Sequence, residues 1–301
     1  MRALPVLQTV PAPKPTTCRR ECVSGPSFPT PMSRSVTFVA IVTLGVVAWV
    51  PRADAQTSSG ASTTRQTEAA LGFLTSYRFH LNALRLISSD DKFVWDTDFG
   101  GDLDVFDFQH FRGNLLLNFE SIVGEQIRPV DPNQGNYTID LSTWWRTGVP
   151  GGEMGATFHH VSRHLSDRDK EFAIAWNMLG FQYAAPLLLR SWVLDVGFRV
   201  LKTVRRSFVD YKGEIGGSVQ ARRVVHPRVS LILGGELVLV PVDRSDRGRD
   251  TQVGGRIEIG ARFPGGAGAG EVFIARERRI DADSFDLEPT TFTMLGFRFL
   301  H

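Results

Sequence analysis

The stretch Phe158-His159-His160-Val161-Ser162-Arg163-His164-Leu165-Ser166-Asp167, followed by Ala175-Trp176-Asn177, holds the side chains best suited to covalent chemistry. A neutral imidazole can take the proton of a serine hydroxyl and make it a nucleophile. In an extended strand, residues two apart share a face with Cα atoms roughly 6–7 Å apart. His160 and Ser162 therefore stand side by side, with Met154, Ala156, Phe158 and His164 on the same face. Such a site also needs a group that orients the imidazole. If Asp169-Lys170 caps a hairpin, pairing symmetric about it sets Ser162 opposite Asn177 on one side of the sheet. Asn177 can then hold the His160 ring. The candidate catalytic set is Ser162 as nucleophile, His160 as general base and Asn177 as orienter.

Other readings stand beside this one. Polar residues at the outer end of a membrane strand lie in the headgroup zone and need no function, so His159, His160 and His164 can simply meet lipid phosphates. A metal site from His160, His164 and Asp167 is geometrically poor, because residues four apart in a strand are about 13 Å apart. Asp96, Asp98, Asp102 and Asp104 alternate along one strand, a stripe that can bind cations or pair with arginines opposite. Arg205-Arg206 and Arg244, Arg247 and Arg249 fall in expected outer loops, either solvated or facing lipopolysaccharide phosphates. Gly265-Gly266-Ala267-Gly268-Ala269-Gly270 is a flexible turn without the strand-to-helix setting of a phosphate loop.

The elements that must position these residues are strands. Tyr137, Ile139, Leu141, Thr143 and Trp145 alternate with Thr138, Asp140, Ser142, Trp144 and Arg146. Val253, Gly255, Ile257, Ile259, Ala261 and Phe263 alternate with Gln252, Gly254, Arg256, Glu258, Gly260 and Arg262. Period two gives one apolar and one polar face. A soluble sandwich turns the apolar face inward; a membrane barrel turns it outward to lipid and encloses the charges. The stretches are as long as the nine to eleven tilted residues a bilayer requires, and both charge signs occupy the polar faces, where Asp195 can pair with Arg199 and Glu258 with Arg256 or Arg262. The expectation is an all-β, antiparallel, up-and-down transmembrane barrel of about twelve strands: 75–87, 93–108, 111–123, 136–147, 152–164, 171–184, 191–203, 211–224, 228–241, 252–263, 270–280 and 290–300. Short periplasmic turns are expected near Gln109-His110, Val149 to Gly152, Ala185-Pro186, His226-Pro227 and Pro264 to Gly266. The longer, more charged connections face outward.

The start of the chain reads as an address. Met32-Ser33-Arg34, the apolar run Val36 to Val50 and the small-x-small Ala53-Asp54-Ala55 form a secretory signal peptide over 32–55. Residues 1–31 are a dispensable extension, with Met1 or Met32 as initiator; 56–72 form a flexible lead-in and 73–301 the barrel. Among the chain's 34 Lys/Arg and 32 Asp/Glu, residues 1–55 hold six basic and two acidic, leaving 28 basic against 30 acidic residues and a formal charge of −2. Such a chain has no nucleic-acid footprint. Both cysteines, Cys18 and Cys22, also lie in the early segment, so thiol chemistry plays no part in the barrel. After residue 60 no uncharged apolar run is long enough for a transmembrane helix.

The ending Leu295-Gly296-Phe297-Arg298-Phe299-Leu300-His301 resembles the C-terminal signal of outer-membrane barrels, although that pattern puts the aromatic last. His160-Val161-Ser162 with Trp176-Asn177 resembles the outer-membrane phospholipase A family, twelve-stranded barrels with a Ser-His-Asn site facing lipid. That family has Asn-Gly after its serine where this chain has Arg163-His164, and a shorter serine-to-asparagine spacing. The resemblance implies lipid acyl-ester hydrolysis and calcium dependence, for which Ser166, Asp167 and Asp169 offer oxygen ligands. The fuller run His160 to Asp167 is similar to a His-x-Ser-Ser-His-Leu-Gly-Asp motif of uncharacterised bacterial envelope proteins, with Arg163 and Ser166 as departures. The implied partners are membrane lipid, lipopolysaccharide, the barrel-insertion machinery and a second copy of the chain as a homodimer. A non-enzymatic structural or small-solute-passing barrel is the alternative.

Overall fold

The computed structural model describes residues 71–88, 90–166 and 172–301. The expected extension, the signal peptide and residues 56–70 of the lead-in lie outside the described residues. The strands are β1 (Gly72–Ile87), β2 (Trp95–Asp107), β3 (Phe111–Gly124), β4 (Asp131–Arg146), β5 (Glu153–Leu165), β6 (Ile174–Leu189), β7 (Trp192–Ser207), β8 (Gly213–His226), β9 (Val229–Val240), β10 (Gln252–Gly265), β11 (Gly268–Arg279) and β12 (Thr290–Leu300), with one helical turn, α1 (Arg244–Arg247), before β10. Each strand pairs with its sequence neighbours, and β1 closes on β12 to complete an antiparallel barrel. Beyond the last strand pair, Phe79 and His301 exchange two backbone hydrogen bonds, and the His301 ring lies against Tyr77 at 5.7 Å between centroids.

The faces sort as the alternation requires. Phe181, Phe198, Leu237, Ile257, Ile259, Ile274 and Leu295 stand exposed on the outer wall. The charges point inward and pair. Arg298 bridges Glu258 and Glu271 at 3.0 and 2.8 Å; Arg279 meets Asp96 and Glu277 at 2.5 and 2.9 Å; Arg112 meets Asp104 and Glu153, both at 2.7 Å. An apolar wall wrapped round an ion-paired interior is stable against acyl chains and untenable against water. A closed barrel leaves no unpaired strand edge in the hydrocarbon. The chain is a transmembrane barrel of the bacterial outer membrane.

The Asp stripe of β2 is paired rather than standing free: Asp102 with Arg78, Asp104 with Arg112, Asp96 with Arg279, and Asp98 with the His80 ring. Glu258 pairs with Arg256, as the spacing predicts, but Arg199 reaches Glu214 on β8 instead of Asp195 on its own strand. Cross-strand neighbours lie closer than residues four apart along one strand. The expected turn at Ala185-Pro186 is also displaced. β6 continues to Leu189 and turns at Arg190-Ser191. β5 begins opposite Ala184, so Pro186 sits on a stretch with β7 as its single neighbour, where proline is tolerated.

Side chains pack inside the barrel towards its loop end. Leu84, Ile122, Phe273, Phe292 and Met294 form one buried cluster inside the barrel, and Val161, Ile174, Trp176, Met178 and Val240 another. Above them three loops meet on Arg249, which donates to Asp210 and Asp281, each fully buried. The Tyr211 hydroxyl donates to Asp281, and Arg163 donates to the Asp281 carbonyl. Burial pushes the Tyr211 hydroxyl well above its ordinary range, and the hydrogen bond to Asp281 raises the Arg249 guanidinium. Arg249 is therefore an internal clasp rather than an exposed phosphate contact. Arg206 likewise turns inward to Asp243 at 3.2 Å. Tyr211, at the start of the expected strand 211–224, has left the ladder for a single bridge to Val242 and is buried.

Candidate functional site

On β5 the inward residues are Gly155, Thr157, His159 and Val161, and the outward ones are Ala156, Phe158, His160, Ser162 and His164. On β6, Trp176 and Met178 point inward and Asn177 outward. The three candidate residues thus share the lipid-facing wall near the loop end of the barrel.

The pairing differs by two residues from the symmetric hairpin. His160 lies opposite Asn177, and Ser162 opposite Ala175. A one-residue slip would turn every side chain to the wrong face, whereas a two-residue slip keeps every face, so alternation in the sequence cannot detect it. The shift puts the orienting group level with the imidazole. The Nδ1–H of His160 donates to Asn177 Oδ1 at 2.6 Å. That tautomer leaves Nε2 as the basic nitrogen.

Ser162 takes a different partner. Its hydroxyl lies 3.1 Å from Nε2 of His164, and no hydrogen bond joins it to His160. His164 in turn sits edge-on to Tyr137 at 5.2 Å, the last member of an outward row with Phe119 and Phe99. The serine is flanked by two imidazoles, one oriented by Asn177 and one in contact with it.

Below His160 the wall carries a shallow apolar groove of about 640 Å³. Gly113, Thr143 and Ala156 leave its floor low, and Phe106, Phe158 and Phe181 rise around it.

No family model and no curated protein matches the chain. Among solved structures it is similar to an outer-membrane channel from Pseudomonas putida F1, at 14% identity and TM-score 0.49 over 77% of this chain and 95% of that one. It is similar to outer membrane phospholipase A from Escherichia coli at 10% identity and TM-score 0.49, covering 76% and 91%. LpxR from Salmonella typhimurium follows at 6% identity and TM-score 0.44, covering 74% and 99%.

Of the expected calcium ligands, Asp167 and Asp169 lie outside the described residues. Ser166 follows β5, where its amide donates to the Asn133 carbonyl at 3.2 Å. Among the described residues no group of three His, Cys, Asp or Glu is arranged to hold a metal ion. His159 was expected among the lipid-facing histidines, but it faces the interior and its Nδ1 lies 2.5 Å from Asp140. The neighbouring residues His159 and His160 occupy opposite faces, as period two demands.

Proposed function

We propose that this barrel is a lipid acyl-ester hydrolase whose site faces the outer leaflet. The observation that carries the reading is the His160–Asn177 hydrogen bond on the lipid-facing wall, beside Ser162. Rotation about the Ser162 side-chain bond takes the hydroxyl from His164 towards His160. His160 Nε2 then accepts the hydroxyl proton as Oγ bonds to the ester carbonyl carbon. The tetrahedral adduct collapses by breaking the bond to the glycerol oxygen, which takes the proton from His160, and the lysolipid leaves. Water deprotonated by His160 attacks the acyl-serine, releases the fatty acid and restores Ser162. Asn177 keeps the imidazole in one tautomer and plane throughout. The groove below His160 accommodates the acyl tail. None of these steps draws on calcium.

A non-enzymatic structural barrel is the second reading, favoured by the Ser162–His164 pairing. The test is lysolipid release from phospholipid micelles by the refolded full chain, with and without calcium. Ser162→Ala should lower the rate on the order of 10³-fold or more, as removal of a catalytic serine does elsewhere. Equal rates for Ser162→Ala and the native chain would leave the structural reading in place.

A further inference from the structure

The strand cations of this barrel are almost all occupied. Arg112, Arg199, Arg256, Arg279 and Arg298 pair with carboxylates. Lys202 and Arg205, both exposed on β7, make no hydrogen bond, ion pair or ring contact among the described residues. Their backbone partners show where they point. Lys202 lies opposite Leu179, and Arg205 opposite Asn177, both outward residues of β6.

Arg205 is outward because of an irregularity. Met178 pairs with Thr203, but Asn177 pairs with Arg205, so β7 carries one extra residue, Val204. Without that bulge Asn177 would face Val204 and Arg205 would turn inward. With it, Arg206 takes the inward position against Asp243, and Arg205 joins the outer wall. Bulges beside a site commonly re-aim a side chain in this way. His160, Asn177 and Arg205 consequently form one cross-strand line over β5, β6 and β7. Two strand spacings separate its ends, about 10 Å.

An unpaired guanidinium and ammonium on a lipid-facing wall need anions, and their long stems let the charges reach the headgroup level. The anion available there is a lipid phosphate, which arginine binds through a planar fork. We infer that Arg205 and Lys202 form a phosphate subsite that seats the headgroup of the substrate phospholipid while its acyl ester lies over Ser162. Phosphate and ester in such a lipid are joined through one glycerol unit, and Arg205 stands on the same outward wall as Ser162, two strands away. This inference rests on the hydrolase reading, and it narrows the substrate to lipids with a phosphate next to the ester-bearing glycerol. Lipid A phosphates share the recognition chemistry without that glycerol link.

The experiment separates both questions. The refolded full chain, carrying Ser162→Ala to prevent turnover, is mixed in nonionic detergent with phosphatidylglycerol, with diacylglycerol of the same chains, or with lipid A. Retention is read by native mass spectrometry. Phosphatidylglycerol should be retained at least fivefold better than diacylglycerol. Arg205→Gln with Lys202→Gln should abolish that preference, and Arg205→Lys should restore part of it. Heat-modifiable migration on gels confirms that each variant is a folded barrel. Equal retention of phosphatidylglycerol and diacylglycerol overturns the inference, as does an unchanged preference in the double variant. Preference for lipid A over phosphatidylglycerol also overturns it, making the pair a lipopolysaccharide contact. Failure of Ser162→Ala to reduce lysolipid release removes the hydrolase reading instead, whatever the binding shows.

Discussion

The lipid-facing wall around Ser162 and the clasp around Arg249 are built on opposite terms. In the clasp, one guanidinium satisfies two fully buried carboxylates, Tyr211 and Arg163 add donors to Asp281, and three loops are tied together. On the wall, His160, Ser162 and Asn177 are half-buried; one hydrogen bond joins His160 to Asn177 and another joins Ser162 to His164. Buried charge makes the clasp expensive to disturb and therefore structural. The wall residues hold little of the fold in place, so their geometry is free to serve chemistry. Perturbing the first should change stability, and perturbing the second should change turnover with stability nearly constant.

The largest effect on stability is expected from Arg249→Ala. Removing one partner of a buried ion pair leaves uncompensated charge, a loss of about 3–5 kcal/mol, and here two carboxylates are stranded. Denaturant unfolding of the barrel in detergent would measure it. A loss below 1 kcal/mol would show that the loops do not depend on the clasp. Next comes Ile259→Arg, in the middle of β10 and 61% exposed. A cation on the lipid face near the midplane costs about 2–4 kcal/mol. An innocuous substitution would mean that this surface meets water, and the comparison between wall and clasp would lose its setting.

Much of this architecture is legible in the sequence, and its blind spots have physical causes. The alternation of Ile257 and Ile259 with Arg256 and Glu258 reads directly as two faces, because parity is a local property of each strand. The outward placement of His160, Ser162 and Asn177 follows from the same parity. The His160–Asn177 pairing does not, since registers two apart have identical parity. The clasp is invisible for a stronger reason. Asp210, Arg249 and Asp281 come from three loops, and nothing periodic links them; Arg249 read alone resembles any solvated loop arginine. Arg205 is hidden likewise, because the bulge at Val204 breaks the count.

On the wall, Asn177→Ala sharpens the contrast. It removes one neutral hydrogen bond from a half-exposed ring, worth about 1 kcal/mol, so turnover should fall roughly fivefold to tenfold. The unfolding free energy should fall by no more than about 1 kcal/mol. The reverse outcome, with stability lost and turnover kept, would make Asn177 a structural residue.

The smallest effect belongs to the loop pair Lys92–Asp283, 3.0 Å apart and part-exposed near the mouth. Burial tends to raise the Asp283 carboxyl, but the Phe285 amide and the Lys92 ammonium outweigh it and hold the group below its ordinary value of 3.8. A carboxylate depressed in the folded state contributes stability in full above its unfolded pKa and loses it as pH falls through the folded one. Lys92→Ala should therefore cost about 0.2–1 kcal/mol at pH 7, the range for an exposed pair. The difference from the native chain should persist down to the ordinary carboxylate range and vanish below it. Salt should weaken it, because water reaches both groups. Salt should not weaken the clasp in this way, since Asp210 and Asp281 are shielded from solvent. A gap for Lys92→Ala that stays constant from pH 7 to below 3 would mean that packing of the lysine stem, not the charge pair, holds this loop at the rim.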